Sequence, residues 1–218
     1  MGATRVSRPR GLVALALLAL VVGAGSASAD SWPGPRVFAV FSESGGYFAR
    51  FVPGDSVGDT AGFAGAPRGR YAAALLYGLQ ADRSYKLLHE IGLPNPVSPV
   101  SALVSDEGFV ITFDNWHNLG VGKVVVIHGP DGRLVRSYEL AELYPPARLG
   151  KIRQSVSSRA WRCQPVHFVE PAEQKSVYVP EVLGGYFVFG LASGGMTYVE
   201  GGRRDCGGAE PRAPVKGG

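Results

Sequence analysis

Alternation of apolar and polar side chains at period two constrains this chain more than any other feature of its sequence. In the run Phe109-Val110-Ile111-Thr112-Phe113-Asp114, the residues Phe109, Ile111 and Phe113 share one face, as a strand requires. Tyr85, Leu87, His89 and Ile91 alternate with Lys86, Leu88 and Glu90 in the same way. Val124 to Ile127 is an unbroken β-branched run, which suits a strand buried on both faces. Further strands are expected at Ser176 to Val179, Gly185 to Leu191 and Met196 to Glu200. Turn formers separate them, at Gly129-Pro130-Asp131-Gly132 and at Ala192-Ser193-Gly194-Gly195.

With 31 glycines and 16 prolines the chain has little room for long helices. Helix is expected only within 139–154. There Leu140, Leu143 and Tyr144 line one side of a turn that Pro145-Pro146 stops, and a second turn runs from Ala147 to Gln154. Arg148, Lys151 and Arg153 read as a solvated face. The stretch from Val52 to Arg70 and the tail after Gly201 read as loop. The expected fold class is therefore all-β, built of antiparallel meanders with one or two short helical turns.

The N-terminus has the tripartite pattern of a cleavable secretory signal. Arg5, Arg8 and Arg10 form a positive region, Gly11 to Gly23 is apolar, and Ala27-Ser28-Ala29 fits a small-residue cleavage site. The apolar core is shorter than the roughly 20 residues a spanning helix needs. The expectation is a signal peptide over 1–29, a single mature domain over 30–218, a periplasmic or extracellular location, and no stable membrane insertion after cleavage. Removing 1–29 takes three arginines and no acid, leaving 19 basic against 18 acidic residues. The basic character of the full chain thus belongs mostly to the export segment, and no electrostatic footprint for nucleic acid remains.

Two cysteines remain, Cys163 and Cys206. In an exported chain an even count favours a disulfide. Their spacing is far from C-x-x-C, and no histidine sits beside them at ligand spacing, so neither a redox pair nor a metal pair is expected.

Internal similarity sets the architecture. Ser42-Glu43-x-Gly45 is echoed by Ser105-Asp106-x-Gly108, and each copy leads through a loop to an apolar strand, a short turn and a partner strand. A third copy runs from His167 to Glu200. The run S-D-E-G-F-V-I-T-F-D-N-W-H from Ser105, with V-V-V-I-H-G-P-D-G-R-L-V-R-S-Y-E-L after it, resembles a blade of bacterial β-propeller proteins. It is similar in particular to secreted ones of the WD40 or YVTN type with no assigned function. The resemblance is best over 99–145 and implies about three blades. It departs from the pattern in lacking a W-D or Y-V-T-N signature, and three units are fewer than a closed ring uses. It implies an architecture rather than an activity.

Several constellations could carry chemistry. Gly54-Asp55-Ser56 with Asp114-x-x-His117 matches the fragments of a G-D-S hydrolase, in which an imidazole takes the proton of Ser56 and a carboxylate orients the ring. Those enzymes resemble an α/β sandwich with long helices, which this chain lacks. His89, His117, His128 and His167 show no metal-ligand spacing, and Asp131-Gly132 lacks the repeated acids of a calcium loop. No glycine-rich loop precedes a helix, so no metal, nucleotide or other cofactor is expected.

The best candidate site is the ligand-binding loop Asp114, Asn115, Trp116 and His117, followed by Asn118, Gly120 and Gly122. An indole can stack on a sugar or peptide while amides and an acid hydrogen-bond to it. The functional expectation is an exported binding or scaffolding domain for a glycan or protein ligand of the envelope or exterior. The alternatives are an envelope hydrolase using Ser56, Asp114 and His117, and a structural module that completes a ring by self-association.

Overall fold

The alternating segments become three antiparallel meanders. The computed structural model describes residues 34–56, 69–155, 157–170 and 172–201, together with the isolated positions Gly2 and Cys206. The expected signal segment and cleavage site, the stretch 57–68 and most of the tail after Gly201 lie outside the described residues. Every described element belongs to one compact unit beginning at Gly34.

The first sheet contains β1 (Phe38–Phe41), β2 (Tyr47–Val52), β3 (Ala73–Leu79) and β4 (Tyr85–Gly92). The second contains β5 (Pro99–Val104), β6 (Val110–Asn115), β7 (Val125–His128) and β8 (Leu134–Tyr138). The third contains β9 (His167–Phe168), β10 (Ser176–Pro180), β11 (Tyr186–Gly190) and β12 (Met196–Val199). Strands adjacent in sequence are neighbours in every sheet, and all pairings are antiparallel.

The second sheet lies between the other two, and its sequence explains why. Ile111 and Phe113 of β6 pack with Val125, Ile127, Val177, Val179, Phe187 and Phe189 in one core cluster. Val110 turns the other way, into a second cluster with Ala49, Phe51, Ala74, Leu76 and Ile91 of the first sheet. All four residues of β7 are buried, as the unbroken apolar run from Val124 predicts, whereas all six of β6 are buried although its alternation suggests one apolar face.

The Ser-acid-x-Gly echo is a shared turn. Gly45 N–H donates to Ser42 O and Gly108 N–H to Ser105 O, each at 3.0 Å. The serine hydroxyls accept from Tyr47 N (3.1 Å) and Phe109 N (3.0 Å). Both glycines sit at positive φ, 70° and 88°, where a side chain is strained. In the third sheet Gln174 takes the corresponding place with φ 46°. Its buried amide links all three turns: it donates to Asp106 Oδ2 (2.9 Å) and Glu43 Oε2 (3.4 Å) and accepts from Asp106 N (2.6 Å). Asp106 Oδ1 in turn accepts from Ser44 N and Oγ.

Three expectations change. The alternation over Tyr85 to Ile91 does not keep one face, because a register shift between Leu76 and Tyr77 adds a residue to β4. His89 and Ile91 therefore pair with the core-facing Leu76 and Ala74, whereas Leu87 and Tyr85 pair with Tyr77 and Leu79 on the other face. The helical turns are α1 (Leu140–Leu143) and α2 (Pro146–Leu149). Proline ends the first but opens the second, where its missing N–H costs nothing, and the second stops well before Gln154. Arg148 is not part of a solvated face. Its side chain is 23% exposed, and it pairs with the fully buried Glu181 at 3.1 Å.

Candidate functional site

The segment 114–122 begins on the last two residues of β6, leads towards β7 and carries several residues at positive φ. Asp114 has φ 58° and His117 φ 66°, both in the left-handed region, which costs most residues about 1–2 kcal/mol and which a short hydrogen-bonded side chain such as Asp114 tolerates best. Gly120 and Gly122 follow at 71° and 69°. Glycine is required at 120, since an added Cβ would lie 2.4 Å from Arg159 O.

Long-range anchors hold this conformation. Asp114 is 2% exposed, and its Oδ1 accepts from Trp161 Nε1 (2.7 Å) and from Gly120 N (3.0 Å). Its Oδ2 accepts from Arg162 Nε at 2.7 Å. Arg162 also donates to Ser101 Oγ (3.0 Å) and stacks 5.2 Å above the Phe113 ring. Asn115, also buried, accepts from Asn95 Nδ2 (2.7 Å) and donates to Val121 O (2.7 Å). Trp116 N–H donates to Ser98 O at 2.9 Å. On the far rim, Arg159 N donates to Leu119 O and Leu119 N to Ser158 Oγ.

Two residues of the expected set thus serve the loop itself. The side chains of Asp114 and Asn115 turn inward and fix the backbone. Trp116 and His117 are partly buried, and their rings meet edge to face at 6.4 Å. Trp116 belongs to neither core cluster; the tryptophan of the core is Trp161, 0% exposed. Burial holds His117 below the ordinary imidazole range, so it stands neutral near pH 7, an acceptor as well as a donor.

The geometry works against a catalytic triad. The Asp114 carboxylate is engaged by Trp161, Arg162 and Gly120 rather than by an imidazole. Gly54-Asp55-Ser56 is a structural turn: Gly54 N donates to Val97 O, and a Cβ on Gly54 would lie 2.2 Å from Pro96 O. Asp55 Oδ2 accepts from Arg70 N at 2.8 Å, and Ser56 is fully buried. Among the described residues no three His, Cys, Asp or Glu side chains gather as a metal site. No helix there is long and apolar enough to cross a membrane.

Sequence reasoning passed over the residues that support the loop. Trp161 and Arg162 immediately precede Cys163, which forms the disulfide with Cys206. That adjacency was the available signal, since a tryptophan beside a bridged cysteine marks an ordered segment. Glu181 had no such signal. It accepts from Tyr144 and Tyr198 hydroxyls (each 3.1 Å), from Leu183 N and Gly185 N, and from Arg148. Burial, and then the Glu181 charge, push the Tyr144 hydroxyl far above the ordinary phenol range.

No protein-family model matches the chain, and no curated protein matches it in sequence.

Proposed function

We propose that this chain is an exported, propeller-like domain that binds a glycan or protein ligand through the loop 114–122, with Trp116 and His117 as its contact residues. The observation that carries the reading is a loop with two non-glycine residues at positive φ, Asp114 and His117, in which Asp114 and Asn115 are braced from two other segments, by Trp161 and Arg162 on one and Asn95 on the other. Strain of this kind is retained where the surroundings over-determine it, and it clusters at functional sites. A braced loop presenting an indole also spends little ordering entropy on binding.

Two further observations support the architecture and the location. Four-stranded meanders follow one another in chain order, and β1 of the first sheet lies against β5 of the second, as the inner strands of successive blades do. A Cys163–Cys206 disulfide is compatible with an oxidising, exported compartment.

The test is a binding screen of the purified protein against glycan and peptide arrays, repeated with Trp116→Ala. The expected result is a ligand whose affinity falls by about 5- to 150-fold in the variant, the range of a contact hot spot. A ligand bound equally well by both proteins, with the variant folded, would show that the site lies elsewhere.

A further inference from the structure

The first sheet has one covered face and one open one. Ala49, Phe51, Ala74 and Leu76 point into the core against the second sheet. On the other side the pairing registers align Phe41, Phe48, Tyr77 and Leu87 in a row across all four strands. Phe41 is 56% exposed and Leu87 45%. The rings are already ordered: Phe48 stacks on Phe41 at 4.9 Å and on Tyr77 at 4.6 Å. A contiguous apolar platform of this kind on a folded chain marks an interaction surface.

The next row names the occupant. It places Arg50, Leu75 and Glu90 side by side, with Leu75 in the centre. Both charged residues are exposed, and among the described residues neither has an ion-pair partner. We propose that two copies of this chain pack face to face through this sheet, about a two-fold axis running along β3 through Leu75. Such an axis reverses the order of strands across the interface and preserves position along them. Arg50 of each copy then lies opposite Glu90 of the other, and Leu75 and Tyr77 meet their own counterparts.

The charges select this arrangement over its rivals. An axis across the strands would set Arg50 against Arg50. A head-to-tail contact would use the outer face of the third sheet, where Tyr178, Tyr186 and Val188 alternate with core residues and the strands carry no Asp, Glu, Lys or Arg. That contact would bury both charges without partners, a costly outcome. A cavity of about 150 Å³ opens beside Glu90; Val52, Pro53, Ala73 and Leu75 give it apolar surface for the stem of the incoming Arg50, and Arg70 and Tyr71 also line it. None of these residues belongs to the loop 114–122, so the proposal stands or falls separately from the binding site.

Sedimentation equilibrium of the full exported chain tests it. The wild type should be a dimer. Arg50→Glu and Glu90→Arg should each weaken self-association by roughly 30-fold or more while matching the wild type in melting at dilutions where the wild type is itself monomeric, since both positions are exposed. An equimolar mixture of the two variants should dimerise again, because each then meets the opposite charge at both positions. A monomeric wild type, variants that associate as well as the wild type, larger rings, or a mixture that stays monomeric would each overturn the proposal.

Discussion

The indole N–H of Trp161 donates to Asp114 Oδ1 at 2.7 Å across 47 residues of sequence. That bond ties the core between the second and third sheets to the loop that follows β6. Beside it the Arg162–Asp114 ion pair is almost wholly buried, with side chains 5% and 2% exposed.

Asp114→Ala should therefore be among the most destabilising single changes in the domain. It would leave the Arg162 guanidinium buried without a counter-charge, at about 3–5 kcal/mol, and put alanine at a left-handed φ. Asp114→Asn should cost less, because asparagine tolerates that φ and keeps an acceptor for Trp161. Urea unfolding at pH 7 measures both. Losses under about 1 kcal/mol for both would mean that the anchors do not hold the loop.

The two tryptophans should separate cleanly. Trp161→Ala opens a cavity in the main core and should cost about 3–5 kcal/mol. Trp116→Ala removes a partly buried ring outside both clusters and should cost well below that. Thermal melts of the two variants give the comparison, and equal drops in melting temperature would make Trp116 a core residue.

Much of this fold was legible because strand periodicity is a local signal. The face shared by Phe109, Ile111 and Phe113 and the doubly buried Val124 run needed only their own spacing. The echo of Ser42 and Ser105 was readable too, since a serine hydroxyl accepting a nearby N–H and a glycine at positive φ are short-range devices. The flipped face of Tyr85 and Leu87 was not, because a bulge leaves no mark in the alternation of one strand. The inward turn of Asp114 was hidden for another reason: its partners, Trp161 and Arg162, are distant in sequence. Arg148 was misread on similar grounds, as only the third sheet brings Glu181 to it.

Closing the Cys163–Cys206 bridge constrains an unfolded loop with a sequence separation of 43. In the chain-entropy account this is worth about 4 kcal/mol, less any cost in the native state. The double variant Cys163→Ala, Cys206→Ala should unfold at correspondingly lower denaturant, and reductant should shift the wild type the same way. No shift in either case would show that the bridge contributes nothing to stability.

Stability should also fall on mild acidification, and His128 supplies the reason. It is 4% exposed at the end of β7, its Nδ1 has no hydrogen-bond partner, and burial pushes its pKa down to about 4. The unfolded chain binds that proton near pH 6.5. Between those values the unfolded state holds more protons than the folded one, so stability rises with pH through the window and levels off above it. The full difference corresponds to about 3 kcal/mol, and His117, also lowered by burial, adds to the same slope. Unfolding free energies at half-unit steps from pH 4 to 8 should trace this rise. His128→Leu should flatten most of it while leaving the plateau near pH 7.5 little changed. A variant with the wild-type slope would remove buried His128 as the cause.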